Sequence, residues 1–218
     1  MIRTVTLVPS ILTSDKQDYR AQVEKINTFT RRVQIDVTDG IFTPNQTLDI
    51  TNIWWPDNWS TDLHMMVVYP SQHLDTILKL NPSLCIFHAE AQEDLMPSYQ
   101  ALKEAGIQTG LALMSSTFPG HVQPYIELVD HVLICAGQLG MQGSTADLMQ
   151  MEKIQLVRAM KPELEIGWDG GANMTNVRAL AHADLDVINV GAAISQAADP
   201  AEAFQELVAE IDQNGVVL

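Results

Sequence analysis

Three residues of the sequence carry side chains that together could bind a metal ion or move a proton: Asp36, His64 and Asp169. Each closes a short apolar run, VQID, DLH and IGWD respectively. An imidazole and two carboxylates suit Fe²⁺, Mn²⁺, Co²⁺ or Zn²⁺. Two aspartates on opposite sides of a substrate also suit proton transfer at a carbon next to a carbonyl, because one can take the proton and the other can return it to the opposite face. The alternative is three unrelated polar residues that cap strands and loops.

The stretch VQIDVTDG, residues 33–40, places two polar side chains on one face of a strand. Gln34 and Asp36 alternate with Val33, Ile35 and Val37, which is the period of a β-strand. The surrounding strands read as buried on both sides, so this face is not expected to be solvated. Solvation therefore does not explain why the Gln34 carboxamide and the Asp36 carboxylate lie side by side on this face.

Short apolar runs alternate with amphipathic stretches along the whole chain. The predicted strands are 5–8, 33–37, 62–67, 84–88, 109–113, 131–135, 165–168 and 187–190, and the predicted helices include 18–29, 73–80, 93–106, 146–160, 173–182 and 201–211. Eight strands alternating with helices over this length predict an α/β fold, a (β/α)₈ TIM barrel, as a single domain over residues 1–218. A doubly wound open sheet is the alternative, but its glycine-rich first turn is absent, because PSIL follows the first strand.

The chemistry of such a barrel lies at the carboxyl ends of its strands. Polar residues or glycines follow or close several of the apolar runs: Ser10, Asp36, Asp39, His64, His88, Asp169 and Gly191. Two glycine-containing loops, WDGGAN at 168–173 and NVGAAIS at 189–195, follow the seventh and eighth strands. Loops in these positions favour a phosphate site. By contrast, His73, His121, His131 and His182 are expected to be solvated.

Composition limits the partners and the location of this 218-residue chain. Its formal charge of −15 argues against binding nucleic acid or an anionic membrane surface. No apolar run approaches the roughly 20 residues that span a bilayer, and the N-terminus is a poor signal peptide. Cys85 and Cys135 lie in apolar strand-like runs, so buried reduced thiols in a cytoplasmic protein are expected.

The motifs resemble the ribulose-phosphate 3-epimerase family from about Leu7 to Ile194. The matching segments are PSIL (9–12), DVTDGIFTPNQT (36–47), LHMMV (63–67), HAEA (88–91), WDGGAN (168–173) and VGAAI (190–194). The resemblance implies a barrel enzyme that interconverts D-ribulose 5-phosphate and D-xylulose 5-phosphate through an enediolate. It also implies a divalent metal, Fe²⁺, Zn²⁺, Mn²⁺ or Co²⁺, and a homo-oligomer.

Residue roles follow from the same resemblance. Asp36 and Asp169 match the acid and base, and both match metal ligands together with His64. Ser10 and Met66 match positions beside the substrate, as do the loop glycines Gly140 and Gly143. The phosphate-binding positions are matched by Gly170, Gly171, Gly191 and Ala192.

The sequence departs from the family pattern at the metal site. Gln34 stands where the family has a histidine, the fourth metal ligand, and an amide oxygen is a poorer ligand than imidazole for transition metals. We therefore expect weakened metal affinity, an altered preference or no metal. Thr38 and Cys135 replace family methionines, and the flexible loop after the sixth strand reads AGQLGMQGS (136–144).

Three functions remain open from the sequence. The first is epimerisation of a phosphorylated ketose, and the second is a catalytically lapsed homologue that still binds sugar phosphates. The third is an epimerase for another phosphorylated ketose or a related aldolase or decarboxylase, for which the strand ends lack the lysine expected beside the aspartates.

Overall fold

Eight parallel strands form a closed barrel in the computed structural model, which describes residues 4–212. Each strand pairs with its neighbours in chain order, and the first pairs with the last. The strands are β1 Thr6–Ile11, β2 Arg32–Thr38, β3 Ser60–Met66, β4 Leu84–His88, β5 Gln108–Leu113, β6 His131–Cys135, β7 Glu165–Asp169 and β8 Val187–Val190. The predicted (β/α)₈ barrel is confirmed.

In the described part of the chain an α-helix follows every strand except β2, which is followed by the 3₁₀ turn Ile50–Asn52, and two helices follow β8. The α-helices are α1 Lys16–Ile26, α2 Leu74–Leu80, α3 Met96–Glu104, α4 Gln123–Leu128, α5 Glu152–Met160, α6 Val177–Ala181, α7 Ala192–Ser195 and α8 Pro200–Asp212. Two of them, α4 and α7, were not predicted. None of the helices described in 4–212 has the length and apolar character to cross a membrane.

Two predicted helices begin later than expected because side chains cap the preceding turns. The helix predicted over 173–182 starts at Val177, because Asn173 and Asn176 form a turn in which the Asn173 N–H donates to Asn176 Oδ1 at 2.8 Å. The helix predicted over 146–160 starts at Glu152. A 3₁₀ turn, Leu148–Met151, precedes it and is capped by the Asp147 carboxylate.

Strand alternation sorts side chains between the barrel interior and the layer beneath the helices. Cys85 and Phe87 of β4 pack in the layer between sheet and helices. Ile86 and Cys135 belong to a separate interior cluster with Leu133. Both cysteines are buried and reduced, as predicted.

The amino-terminal end of the barrel is closed by charged side chains. Arg32 donates to Asp62 at 2.9 Å and to both oxygens of Glu165 at 2.8 and 2.7 Å. The Nδ1 of His131 lies 2.7 Å from Glu165 Oε2. The expectation that His131 is solvated is therefore wrong, because it begins β6 and its side chain turns into the barrel. A Cβ at Gly167 would lie 2.7 Å from His131 Nε2, so this layer also needs a glycine.

Candidate active site

Asp36, His64 and Asp169 meet at the carboxyl end of the barrel, and we call them the outer set. One ligand atom from each lies within 4.8 Å of the other two. His64 is paired with Asp36 in the β2–β3 register, and its Nδ1 lies 2.9 Å from Asp36 Oδ1. Asp169 reaches the same nitrogen from β7, with Oδ2 at 3.7 Å. The three residues whose types suggested a metal or a proton transfer are thus close together.

Burial and neighbouring charges shift the pKa values of this site. Burial, followed by the charge of Asp36, raises the pKa of Asp169 to about 7, against the opposing effect of His64. For His64, burial alone would lower the pKa. The hydrogen bond and charge of Asp36 and the charge of Asp169 outweigh that effect, so the pKa of His64 is raised. The site therefore holds a carboxyl group that can carry a proton at neutral pH.

Gln34 joins the outer set as a hydrogen-bond donor. Its side chain is fully buried, and its Nε2 donates to Asp36 Oδ1 at 2.9 Å. Its Oε1 is buried and has no hydrogen-bond partner within the described chain. A buried carbonyl oxygen without a partner destabilises the fold. Rotation of the Gln34 amide would turn this oxygen toward a cation, for which it could act as a ligand.

A second layer of side chains supports His64. Its Nε2 lies 2.9 Å from His88 Nε2, and His88 Nδ1 lies 3.1 Å from Glu90 Oε2. The other Glu90 oxygen accepts from the Met114 N–H at 2.9 Å and from the Thr117 hydroxyl. Burial, reinforced by His64, lowers the pKa of His88 to about 4, so His88 is neutral at pH 7. His88 can therefore accept from a protonated Nε2 of His64 while its own Nδ1 donates to Glu90.

A cavity of about 290 Å³ lies above the outer set, and Asp36 and Asp169 form part of its wall. All eight residues predicted to contact substrate or phosphate line it: Ser10, Met66, Gly140, Gly143, Gly170, Gly171, Gly191 and Ala192. His64 and Gln34 lie beneath this wall. The cavity wall therefore contains both carboxylates and glycines.

Two glycines after β7 allow the backbone to pack closely at the cavity wall. Gly170 and Gly171 have φ values of 110° and 68°. A Cβ at Gly170 would overlap the backbone of Gly137, and one at Gly171 would overlap the backbone of Ala146. No other residue type fits either position without moving the loop opposite.

That loop, residues 136–147 and here named the β6 loop, lies across the mouth of the barrel. Gly140 packs against Thr43, and its carbonyl accepts from Asn45 Nδ2 at 2.9 Å. On the other side, Gln142 Oε1 accepts from the Ser195 hydroxyl at 3.1 Å. The β6 loop is thus tied to the loop after β2 and to α7.

Sequence reasoning missed several polar side chains of the cavity, among them Asn189 and Gln142. Within residues 4–212, the Oδ1 of Asn189, which is buried in β8, and the Nε2 of Gln142 have no hydrogen-bond partner. Asn189 gives a signal in the sequence, because it is polar within the apolar strand VINV. Gln142 gives none. Asp39, one of the polar residues at the strand ends, does not join the outer set but accepts the backbone N–H groups of Ile41, Phe42 and Val68.

Known proteins are similar to this chain over nearly its whole length. Residues 6–195 match the model of the Ribulose-phosphate 3 epimerase family. The chain is 28% identical to the ribulose-phosphate 3-epimerase of Schizosaccharomyces pombe over 92% of this chain and 91% of that one. It is 29% identical to the cytoplasmic isoform from Oryza sativa subsp. japonica, over 92% of each chain.

Solved structures share the fold at low identity. A structure of KGPDC from Streptococcus mutans, solved as a complex, aligns with a TM-score of 0.75 at 12% identity, covering 95% of this chain and 97% of that one. The 3-hexulose-6-phosphate synthase of Salmonella typhimurium aligns with a TM-score of 0.74 at 15% identity, covering 95% and 98%. The family itself is shown by the sequence match, and the chain belongs to the ribulose-phosphate 3-epimerase family.

Proposed function

We propose that this protein inverts C3 of a phosphorylated ketose, converting D-ribulose 5-phosphate to D-xylulose 5-phosphate. One observation carries the proposal: the neighbouring carboxylates of Asp36 and Asp169 line a cavity that the glycines of the loops after β7 and β8 also line. The names of the relatives, which are ribulose-phosphate 3-epimerases, support this reaction.

The two carboxyl groups would exchange roles with the direction of reaction. One carboxylate takes the C3 proton from one face of the ketose, giving an enediolate, and the other carboxyl group returns a proton to the opposite face. The raised pKa of Asp169, about 7, suits a group that must be protonated in one direction and ionised in the other.

The side chains fit a divalent cation. Asp36, His64 and Asp169 would hold it, and Gln34 offers an unpartnered amide oxygen as a fourth ligand. When bound, such a cation supplies Lewis-acid polarisation of the substrate oxygens. Oxygen and imidazole ligands suit Fe²⁺, Mn²⁺, Co²⁺ and Zn²⁺. His88 and Glu90 orient His64 so that its Nδ1 faces the cation.

We assign the phosphate to the glycine loops after β7 and β8 at the cavity wall. Gly170, Gly171, Gly191 and Ala192 offer backbone there, where a phosphate can approach closely. Ser10 and Met66 also line the cavity, as do Gly140 and Gly143 of the β6 loop. The formal charge of −15 is no obstacle, because backbone N–H groups can bind phosphate without lysine.

The test is anaerobic epimerisation of D-ribulose 5-phosphate by metal-free protein to which Fe²⁺, Mn²⁺, Co²⁺ or Zn²⁺ is added in turn. We expect metal-dependent formation of D-xylulose 5-phosphate, lost in Asp36→Asn and kept in the exposed control Asp57→Asn. Folded protein without turnover in any metal, or full activity of Asp36→Asn, would reject the assignment.

A second candidate is a catalytically lapsed homologue that binds sugar phosphates, and Gln34 favours it. Its N–H group occupies Asp36 Oδ1, an atom that a cation or a substrate proton would use. Calorimetric binding of D-ribulose 5-phosphate without turnover would support this candidate. Turnover of another phosphorylated ketose alone would identify an epimerase of different specificity.

A further inference from the structure

A second group of potential ligands lies behind the outer set, inside the barrel. The Sγ of Cys135 and one ring nitrogen each of His64 and His88 lie within 4.8 Å of one another. We call these three residues the inner set. All three side chains are buried, with exposed fractions of 0% for both histidines and 2% for Cys135.

The facing Nε2 atoms of His64 and His88 need either a proton or a cation between them. Each Nδ1 lies beside a carboxylate, Asp36 for His64 and Glu90 for His88, at 2.9 and 3.1 Å. If each Nδ1–H donates to its carboxylate, both Nε2 atoms present lone pairs to each other at 2.9 Å. Two lone pairs at that distance repel unless a proton or a cation lies between them.

The same arrangement is common around metal-bound histidines. Ligating imidazoles usually donate their other N–H to a carboxylate, which fixes the tautomer and makes the free nitrogen more basic. Here both histidines have such a carboxylate, and the Cys135 thiol lies within 4.8 Å of a ring nitrogen of each. Bonds of roughly 2.0–2.1 Å to nitrogen and roughly 2.3 Å to sulfur would bring the three atoms to one ion after small side-chain movements.

We propose that the inner set binds one thiophilic cation of the Zn²⁺ or Cd²⁺ class. Two imidazoles and a thiolate form a softer donor set than the carboxylate-rich outer set, so the two sets differ in the metal they prefer. Binding joins the cation to Cys135 Sγ and to the Nε2 atoms of His64 and His88. It releases the thiol proton and any proton held between the imidazoles.

The inner and outer sets share His64 and therefore exclude each other. When its Nε2 binds the inner cation, the Nδ1 keeps its proton and donates to Asp36, so it is not a ligand for the outer set. A thiophilic cation thus inhibits by withdrawing one ligand. This consequence rests on the proposed epimerase function, whereas the inner site itself does not.

The experiment titrates metal-free protein, without sugar, with Cd²⁺ and measures the ultraviolet cysteine-to-cadmium charge-transfer band. We expect this band in the unaltered protein and its loss in Cys135→Ala. Cys85→Ala is the matched control, because Cys85 is equally buried but packs beneath the helices. Absence of the band from the unaltered protein, or its persistence in Cys135→Ala, would overturn the proposal.

A second measurement does not depend on variants that fold. The ¹¹³Cd NMR spectrum of the unaltered protein should show a resonance at a shift typical of one sulfur and two nitrogen ligands, and a shift typical of oxygen and nitrogen ligands without sulfur would refute the inner site. In epimerase assays, Cys135→Ala should need at least roughly tenfold more Cd²⁺ for half inhibition. A charge-transfer band without any turnover would reject only the epimerase, and turnover without the band would reject only the inner site.

Discussion

The side-chain amide of Gln34 donates a 2.9 Å hydrogen bond to the same Asp36 oxygen that lies 2.9 Å from His64 Nδ1. Both partners converge on Oδ1, so the second oxygen of Asp36 makes neither contact. An amide N–H group in this position holds the carboxylate in place without supplying a ligand. Gln34, the residue that departs from the family pattern, thus contacts Asp36 directly, and the proposed proton transfer depends on Asp36.

Replacing Gln34 by histidine should strengthen metal binding. An imidazole at this buried position adds a nitrogen ligand and removes the amide donor from Asp36. We expect the dissociation constant of the outer-set metal to fall by at least roughly tenfold, the lower end of what even an indirect metal partner contributes. Calorimetric titration of metal-free Gln34→His with Mn²⁺ measures this change.

Gln34→Leu is the matched variant, because it keeps the volume but offers neither donor nor ligand. We expect its Mn²⁺ affinity to fall below that of the unaltered protein. If Gln34→Leu bound as tightly as the unaltered protein, the amide oxygen would not be a ligand.

The separate roles of Asp36 and Asp169 should be visible in the exchange of the C3 hydrogen of the substrate with solvent. In Asp36→Asn and Asp169→Asn we expect kcat for epimerisation to fall by roughly 10²- to 10⁴-fold, because each removes one proton-transfer group. In deuterated water, each variant should still exchange the C3 hydrogen of the epimer that its remaining aspartate faces. NMR of the two ketose phosphates should therefore show the two variants exchanging opposite epimers. Exchange of the same epimer by both variants would contradict a two-base reaction.

Much of this site could be predicted from the sequence because its residues close strands. In a closed parallel barrel all strand ends meet at one mouth, so Asp36, His64 and Asp169 had to approach one another once eight strands were recognised. The same reasoning placed the glycines of the β7 and β8 loops at the cavity wall. The predicted homo-oligomer and cytoplasmic location stay predictions.

The sequence could not predict contacts that depend on the direction of a side chain or on the path of a loop. His131 was expected in solvent, yet it begins β6 and turns inward to Glu165. Cys135 and His88 were assigned separately, and only the barrel register brings them beside His64. The path of the β6 loop, which brings Gln142 to Ser195, depends on tertiary contacts that have no local pattern.

Glu90 should act on metal affinity through His88. In Glu90→Ala, the Nδ1–H of His88 loses its acceptor, so His88 no longer favours the tautomer that accepts from His64. We expect metal affinity of the outer set to fall by roughly 10- to 100-fold. Nitrogen-15 NMR of the imidazoles should show a change of tautomer at His64.

Thr117→Val tests whether this effect passes through His88. It removes the hydroxyl that donates to Glu90 but leaves the contact between Glu90 and His88. Its metal affinity and imidazole spectrum should match those of the unaltered protein. An equal loss of affinity in both variants would mean that Glu90 acts on the loop after β5 instead.

A methyl group at Gly171 should displace the β6 loop. Gly171→Ala places a Cβ against the backbone of Ala146, whereas Gly106→Ala, at a similar φ of 80°, meets nothing within 4 Å. We expect Gly106→Ala to cost only the backbone strain of about 1–2 kcal/mol in the free energy of unfolding. Gly171→Ala should cost more and should also raise KM for the sugar phosphate. Equal effects of the two substitutions on KM would show that loop displacement is unimportant.

Glu165→Gln should weaken the charged layer at the amino-terminal end of the barrel. The free energy of unfolding at pH 7 should fall by roughly 1–3 kcal/mol, because Arg32 and His131 lose an ionised partner. The lower part of this range is expected, since about a third of the Glu165 side chain is exposed, 35%. Glu163→Gln, an exposed neighbour, is the control and should change stability little.

The pH dependence of this loss follows from the pKa of Glu165. Burial alone would raise it, but hydrogen bonds and charges from Arg32 and His131 hold it well below its usual value. A carboxyl group with a depressed folded pKa stabilises the fold above its unfolded pKa of about 4.3, and this contribution disappears as the pH falls toward the folded pKa. Urea unfolding should therefore show a constant difference between the two proteins from pH 5 to 7 and a shrinking one below about pH 4. A difference that stayed the same at pH 3.5 would mean that Glu165 stabilises the barrel by packing and not by charge.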